Sequence, residues 1–201
     1  MSPQPKIKLV YFNIEGRGEI IRLCFAHGKV PFEDKRLSGE EFGALKPSLP
    51  LGQVPVLHVD DTVYSQSMAM ARYAASLSGI YPKDASKVLR VESVLGCYDE
   101  MVSAIVEILF LIPDEATKAA KTKEMAEKKT PLVLSYIQSL VIGKFVLGDE
   151  ISIADIAILC VVDYYLLAIK GFDISKYPKI ASVISNVKAE PSIAEYLSRK
   201  G

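Results

Sequence analysis

The chain has little of several residue types on which common functional sites depend. Its 201 residues include two histidines, three cysteines and no tryptophan. A Ser-His-Asp or Cys-His catalytic set would have to use His27 or His58, and we interpret both as structural, because one ends a predicted helix and the other lies within a predicted strand. The sequence has neither a G-x-x-x-x-G-K-[ST] loop nor an H-E-x-x-H motif. We therefore expect no bound metal.

The cysteines and the amino-terminal segment indicate in which cellular compartment the protein is expected. Cys24, Cys97 and Cys160 are widely spaced, embedded in apolar runs and not part of any C-x-x-C pair. This pattern argues against a disulfide framework or a dithiol redox centre and fits a reducing environment. The first ten residues lack the apolar region of a secretory signal. We expect a cytoplasmic protein.

Charge and hydropathy exclude two kinds of partner. Lys and Arg number 24, as do Asp and Glu, so the chain has no net charge to attract a phosphate backbone. The longest apolar stretch, residues 151–169, contains Asp155 and Asp163. Each carboxylate is costly at the centre of a bilayer, so we interpret the stretch as a buried helix. We expect neither a nucleic acid nor a membrane as partner.

The length allows two small domains, and the hydrophobic period changes between them. The first part predicts a small α/β sheet in the order β-α-β-α-β-β-α, a parallel unit followed by a hairpin. The predicted elements are a strand at 6–12, a helix at 19–27, an edge strand at 30–37, a helix at 40–46, strands at 54–59 and 62–64, and a helix at 65–77.

The second part is predicted to be helical throughout. An apolar stripe starts near Lys87, and further helices are expected at 117–139, with a possible kink at Pro131, at 179–188 and at 192–197. Ser152 three residues before Asp155 predicts a capping box with a structural role. We predict domains at residues 1–82 and 87–201, with the boundary at 81–86.

Two local features suggest a site for a small anionic peptide. Pro55 heads a predicted interior strand, where its missing N–H is disruptive unless the Val54–Pro55 bond is cis. A cis bond would leave the N–H and C=O of Val54 free to pair with an extended peptide. Ser65-Gln66-Ser67 begins a helix, whose free N–H groups and dipole favour a carboxylate.

The motifs that contain these features resemble those of a cytosolic glutathione transferase, most closely of the sigma class. The resemblance covers essentially the whole chain and implies a thioredoxin-like amino-terminal domain, an all-helical carboxy-terminal domain and a homodimer with two active sites. The motifs are 11–13 (YFN) with 16–19 (GRGE), 51–57 (LGQVPVL), 66–73 (QSMAMARY), and 148–149 (GD) with 152–156 (SIADI).

The resemblance implies a role for nine residues. Tyr11 would be the catalytic tyrosine whose hydroxyl donates to the sulfur of glutathione, the co-substrate, and favours the thiolate, and Arg17 would support it. The binding residues implied are Gln53 and Val54 for the peptide backbone, Gln66 and Ser67 for the γ-glutamyl carboxylate, Lys46 for the glycyl carboxylate, and Asp99 or Glu100, across the dimer interface, for the γ-glutamyl ammonium.

One position departs from the pattern. Sigma-class members commonly have a tryptophan that donates to the glycyl end of glutathione, and this chain has Phe42 there. Phenylalanine has no donor, so the lost hydrogen bond should weaken binding by about 1 kcal/mol.

Three functions remain open at this point. The first is an enzyme in which the glutathione thiolate attacks a small apolar electrophile. The second is a non-enzymatic structural or carrier protein with the same fold, favoured by loss of the tyrosine or of the Gln-Ser pair, both of which are present. The third is a glutathione-dependent reductase, which would need a cysteine after the first strand, and residues 13–19 contain none.

Overall fold

The structure is a computed structural model that describes residues 5–169 and 172–199. The chain forms two compact units. The first takes the chain up to Tyr81 together with the segment from Glu195 onward, and the second is Pro82–Ala194. The sequence prediction assigned residues 195–201 to the second domain. In the structure the hydroxyl of Tyr196 bonds to Glu19, which connects the last described residues to the first unit.

The first unit is built on a mixed four-stranded sheet. Its strands are β1 (Ile7–Phe12), β2 (Glu33–Leu37), β3 (Val56–Val59) and β4 (Thr62–Tyr64), arranged in the order β2-β1-β3-β4. β1 runs parallel to β2 and antiparallel to β3, and β3 pairs with β4 in a hairpin. This confirms the predicted parallel unit followed by a hairpin, with β2 at an edge.

Three helices accompany the sheet: α1 (Gly16–His27), α2 (Gly39–Leu45) and α3 (Ser67–Leu77). α1 begins at Gly16, whereas the sequence predicted Glu19. The weak helix propensity of Gly16 and Gly18 hid this first turn from a reading of the sequence. α1 and α3 pack against each other, and residues 20–25 of α1 are completely buried.

In the second unit the regular elements of the described residues are helices. They are α4 (Ala85–Val106), α5 (Glu115–Glu124), α6 (Thr130–Leu140), α7 (Ile153–Tyr164) and α8 (Pro178–Ala189), and α9 (Pro191–Ser198) follows across the limit between the units. α4 packs on α7, and α7 on α8. Within the ranges that the structure describes, no helix is both long enough and apolar enough to span a bilayer.

The single helix predicted over 117–139 is divided in two. A π-helical segment, Met125–Lys129, separates α5 from α6, and the N–H of Thr130 donates to the carbonyl of Met125. Pro131 lies in the first turn of α6. Proline has no N–H and its ring crowds the carbonyl four residues earlier. The change in hydrogen bonding therefore occurs just before Pro131, where the sequence had suggested a kink.

α7 is the buried helix expected from the apolar stretch. Residues 153–162 are all buried, and the capping box of Ser152 and Asp155 is present as predicted. The carboxylate of Asp155 accepts from the backbone N–H of Val146 at 2.7 Å and from the N–H and hydroxyl of Ser152, each at 2.8 Å. Burial raises the pKa of Asp155 to about 6, against the opposing effect of these hydrogen bonds.

We expect Asp155→Asn to lower the free energy of unfolding at neutral pH by about 1 to 3 kcal/mol, because an amide NH2 replaces an oxygen that faces buried donors. The measurement is urea denaturation at a series of pH values.

The pH series adds a second expectation. Because the folded state raises the pKa from 3.8 to about 6, folding takes up a proton between these values, and the stabilisation that Asp155 provides decreases as the pH rises from 3.8 to 6. The free energy of unfolding of the wild type minus that of Asp155→Asn should therefore decrease with pH over this range, by at most about 1.4 kcal/mol per pH unit. The exposed neighbour Asp149, changed to Asn, is the control and should keep the wild-type free energy of unfolding at neutral pH. An Asp155→Asn protein of wild-type stability would contradict the role of the capping box.

Candidate active site

Tyr11 lies near the end of β1, and its ring rests on the first turn of α1. The side chain is 7% exposed, and the backbone N–H of Arg17 donates to its hydroxyl oxygen at 3.1 Å. A Cβ atom at Gly16 would lie 2.4 Å from that oxygen, and one at Gly18 would lie 2.6 Å from Cδ1 of the ring. The two glycines therefore make the space that the tyrosine fills.

The surroundings of Tyr11 keep its hydroxyl protonated. Burial raises the pKa of Tyr11, while the N–H of Arg17 and the positive charges of Arg17 and Arg22 oppose the rise without cancelling it. A phenol whose pKa is above 10 keeps its proton at neutral pH. The hydroxyl accepts one hydrogen bond from the start of α1 and has its own proton to donate.

Arg22 is a residue that the sequence reasoning did not single out. Its side chain is 0% exposed, and its guanidinium donates to the carbonyls of Ile14 at 2.7 Å and Phe12 at 3.2 Å. The guanidinium carbon lies 5.8 Å from the ring centroid of Tyr11. The sequence did contain a signal for it, namely a single arginine within an apolar helical run. An arginine that is buried in such a run requires anionic partners, so the pattern predicts a buried ion pair. Arg22 fixes the loop between β1 and α1.

Two carboxylates balance the charge of Arg22. Glu19, also completely buried, lies 3.3 Å from Nη1, and Asp34 on β2 lies 3.1 Å from Nε. The other oxygen of Asp34 accepts from Arg36 at 2.9 Å, and Arg36 donates to Asn13 at 3.0 Å. The network thus connects β2 with both ends of the loop that follows Tyr11.

Gln53 and Val54 precede the ladder of β3. The first pair between β1 and β3 is Val10 with Val56, so both residues lie beyond its end. The Val54–Pro55 bond is cis, as the sequence predicted. Gln53 is extended, and the two residues before it have positive φ, 59° at Leu51 and 58° at Gly52.

Gln66 and Ser67 form the start of α3. Gln66 precedes the helix with a φ of 78°, and its carbonyl accepts from Ala69 and Met70. Such a φ is uncommon for a residue with a side chain and often accompanies a functional site. The exposed Gln66 and the half-buried Ser67 lie at the positive end of the helix dipole. Ser65 donates to the carbonyl of Pro50 at 3.3 Å, which connects this turn to the segment before Gln53.

Phe42 and Lys46 lie together at the end of α2. The ammonium of Lys46 is 5.9 Å from the ring centroid of Phe42, and the Phe42 ring packs edge-on against Phe12 with centroids 5.1 Å apart. The Lys46 side chain also approaches Gly52, whose Cβ position is 3.7 Å from its Cγ. Ring and cation contacts therefore connect Tyr11, through Phe12, to Phe42 and Lys46 at the end of α2.

Asp99 and Glu100 lie on α4 in the second unit. Glu100, 62% exposed, pairs with Lys129 at 2.9 Å, and Asp99 is half-buried. Their role across a dimer interface stays a prediction. Elsewhere in the described chain, no group of three or more His, Cys, Asp or Glu side chains is arranged to hold a metal ion.

Two family models match the chain. One described as "Glutathione S-transferase, N-terminal domain" matches residues 7–76, and one described as "Glutathione S-transferase, C-terminal domain" matches residues 99–200. The chain is 32% identical to the hematopoietic prostaglandin D synthase of Gallus gallus, over 98% of this chain and 97% of that protein. It is also 32% identical to the class-mu 28 kDa glutathione S-transferase of Schistosoma mansoni, over 96% and 95%.

Solved structures show the same architecture. A prostaglandin synthase D of Nilaparvata lugens superposes with a TM-score of 0.89 at 28% identity, covering 98% of this chain and 99% of that chain. The sigma-class glutathione transferase of Fasciola hepatica superposes with a TM-score of 0.87 at 26% identity, over 99% and 98%.

We expect Gly18→Ala to lower the free energy of unfolding by about 1 to 3 kcal/mol, because the new methyl group overlaps the buried Tyr11 ring. Gly43→Ala is the matched control, since its Cβ would have nothing within 4 Å and it also lies in a helix of the first unit. It should be neutral or stabilise by up to about 1 kcal/mol. Urea denaturation measures both, and equal stabilities would contradict the packing of Tyr11 on α1.

Proposed function

The chain belongs to the glutathione S-transferase family, and we propose that it conjugates glutathione to small apolar electrophiles. The observation that carries the proposal is the Tyr11 hydroxyl, which is protonated, held by the N–H of Arg17 at 3.1 Å and placed where β1 meets α1. In this reaction residues 1–82 bind glutathione and residues 87–201 supply the pocket for the electrophile.

The proposed chemistry is activation of a thiol. Tyr11 donates its proton in a hydrogen bond to the glutathione sulfur, which stabilises the thiolate and lowers the pKa of the thiol. The thiol proton passes to solvent, the thiolate forms a carbon–sulfur bond to the electrophile, and any leaving group departs with the electron pair of the broken bond. Arg17, through its backbone N–H and its charge, stabilises the site as negative charge develops at the sulfur.

The remaining residues fit the two ends of glutathione. The positive end of α3 at Gln66 and Ser67 takes the γ-glutamyl carboxylate, and the ammonium of Lys46 takes the glycyl carboxylate. Gln53 and Val54 hold the peptide backbone in the manner of an added strand. Phe42 contributes packing against the tripeptide but no hydrogen bond.

We further propose that the active form is a cytoplasmic homodimer. Several large apolar side chains of the described chain are exposed, and a dimer interface that covers them would remove apolar area from water. They include Tyr64 at 52% and Leu77 at 44% in the first unit, and Leu89 at 70%, Leu132 at 73% and Tyr136 at 48% in the second.

A conjugation assay tests the function directly. The protein is mixed with a general aromatic electrophile in the presence and absence of glutathione, and formation of the thioether is followed. Glutathione-dependent turnover supports the enzyme. Binding of glutathione without turnover over a panel of electrophiles would favour the non-enzymatic structural or carrier protein.

We expect Tyr11→Phe to lower turnover about tenfold to a thousandfold, the range for loss of one positioned donor to a developing anion. Glutathione binding and the oligomeric state should not change, and the pKa of the bound thiol should rise. The measurements are steady-state kinetics and a titration of the thiolate absorbance. Tyr81→Phe, at a half-buried tyrosine of the same unit to which no role is assigned, is the control. An unchanged kcat in Tyr11→Phe would remove Tyr11 from the catalytic role.

A second substitution tests the contribution of the partner subunit. We expect Asp99→Asn combined with Glu100→Gln to weaken glutathione binding by about 1 to 3 kcal/mol, as for a lost hydrogen bond to a charged group. Calorimetric titration measures the affinity, and Glu124→Gln with Glu127→Gln, two exposed acids of the second unit, is the control. Wild-type affinity in a folded double variant, or full activity in a monomer, would contradict the cross-subunit role.

A further inference from the structure

The hydroxyl of Tyr196 is part of the network that surrounds Tyr11. Tyr196 lies on α9, and its hydroxyl donates to Oε1 of Glu19 at 3.1 Å. The other oxygen of that carboxylate, Oε2, faces Nη1 of Arg22 at 3.3 Å. Tyr196 and Glu19 are 177 positions apart in sequence. A residue near the end of the chain therefore contacts the helix on which the tyrosine ring rests.

The protonation of Tyr196 gives this contact a fixed direction. Burial and the adjacent charge of Glu19 raise the pKa of Tyr196, against the weaker opposing effects of Arg22 and Arg36. The phenol keeps its proton at neutral pH, so it is the donor and the carboxylate is the acceptor. A buried carboxylate that accepts a hydrogen bond at one oxygen has a restricted rotamer, which holds its second oxygen toward Arg22.

Arg22 transmits this restraint to the backbone beside Tyr11. Its guanidinium binds the carbonyls of Phe12 and Ile14, the residue after Tyr11 and the residue two before the start of α1. Planar guanidinium donors diverge in fixed directions, so the orientation of Arg22 sets the positions of both carbonyls together. The loop between them determines how the Tyr11 ring meets Gly16 and Gly18.

We infer that Tyr196 is a positioning residue for the reaction: by bonding to Glu19 it orients Arg22, and through Arg22 it sets the direction of the Tyr11 hydroxyl. The inference rests on the proposed function, in which that hydroxyl donates to the glutathione sulfur. Tyr196 itself does not touch the reacting atoms in this mechanism. Removal of its hydroxyl should therefore change the chemical step while binding of glutathione is kept.

The test is Tyr196→Phe, which removes one oxygen and keeps the ring. We expect kcat to fall about threefold to thirtyfold, because small displacements of a catalytic group are costly, while KM for glutathione changes less than about twofold. The pKa of the bound thiol, read from the thiolate absorbance, should rise by part of the increase that Tyr11→Phe produces. Adding Tyr196→Phe to Tyr11→Phe should produce no further increase, because the effect acts through the missing hydroxyl.

Ile193→Val is the matched control for a general loosening of α9. Ile193 is completely buried on the same helix, and the change removes one methylene group without a polar atom. This variant should keep the thiol pKa of the wild type. An equal rise in Ile193→Val and Tyr196→Phe would assign the effect to packing and overturn the inference.

The outcomes separate the inference from the proposed function. If Tyr11→Phe raises the thiol pKa but Tyr196→Phe does not, or if their effects add, the positioning role is overturned and the function of Tyr11 stands. If Tyr11→Phe leaves the thiol pKa unchanged, the proposed thiol activation fails, and the positioning role fails with it. A partial rise in Tyr196→Phe that disappears in the double variant supports both.

Discussion

The first unit depends on the burial of one positive charge. The guanidinium of Arg22 has no exposed surface. Burial of such a group is energetically tolerable only when its N–H donors are hydrogen-bonded and its charge is balanced. Glu19 and Asp34 supply the charge, and the carbonyls of Phe12 and Ile14 supply further acceptors. Because these partners come from β1, α1, β2 and the loop between β1 and α1, satisfying one side chain fixes the relative positions of all four.

The second unit uses a buried charge of the opposite sign in the same way. The carboxylate of Asp155 accepts N–H groups of Val146 and Ser152, as the guanidinium of Arg22 donates to carbonyls. In both cases a buried ion bonds to backbone groups of a segment that connects regular elements. A cation orders a loop through its carbonyls and an anion through its amides.

Much of this arrangement could be predicted from the sequence, because hydrophobic periodicity and turn-forming residues depend only on residues that are close together in the chain. The apolar run of β1, the Asp60-Asp61 turn between β3 and β4, and the Ser152-Asp155 spacing each indicate their structures within a few residues. What the sequence did not show is long-range. The buried pairing of Arg22 with Asp34, and the bond from Tyr196 to Glu19, join residues whose proximity depends on the complete fold. The π-helical segment before Pro131 was missed because Met125–Lys129 consists of strong helix formers, whose propensity does not distinguish a π-helical turn from an α-helical one.

The discontinuous first unit has a consequence for synthesis of the protein on the ribosome. Amino-terminal domains generally fold during translation, as soon as their own residues have emerged. Here the four strands of the sheet lie before Tyr81, but Tyr196 belongs to the same unit and is translated only after the second unit. The nascent chain can assemble β1, α1 and the Arg22 cluster early, whereas the contact of Glu19 with Tyr196 must wait until the second unit, Pro82–Ala194, has been translated. The order of translation therefore makes this hydrogen bond a late step in the maturation of the site.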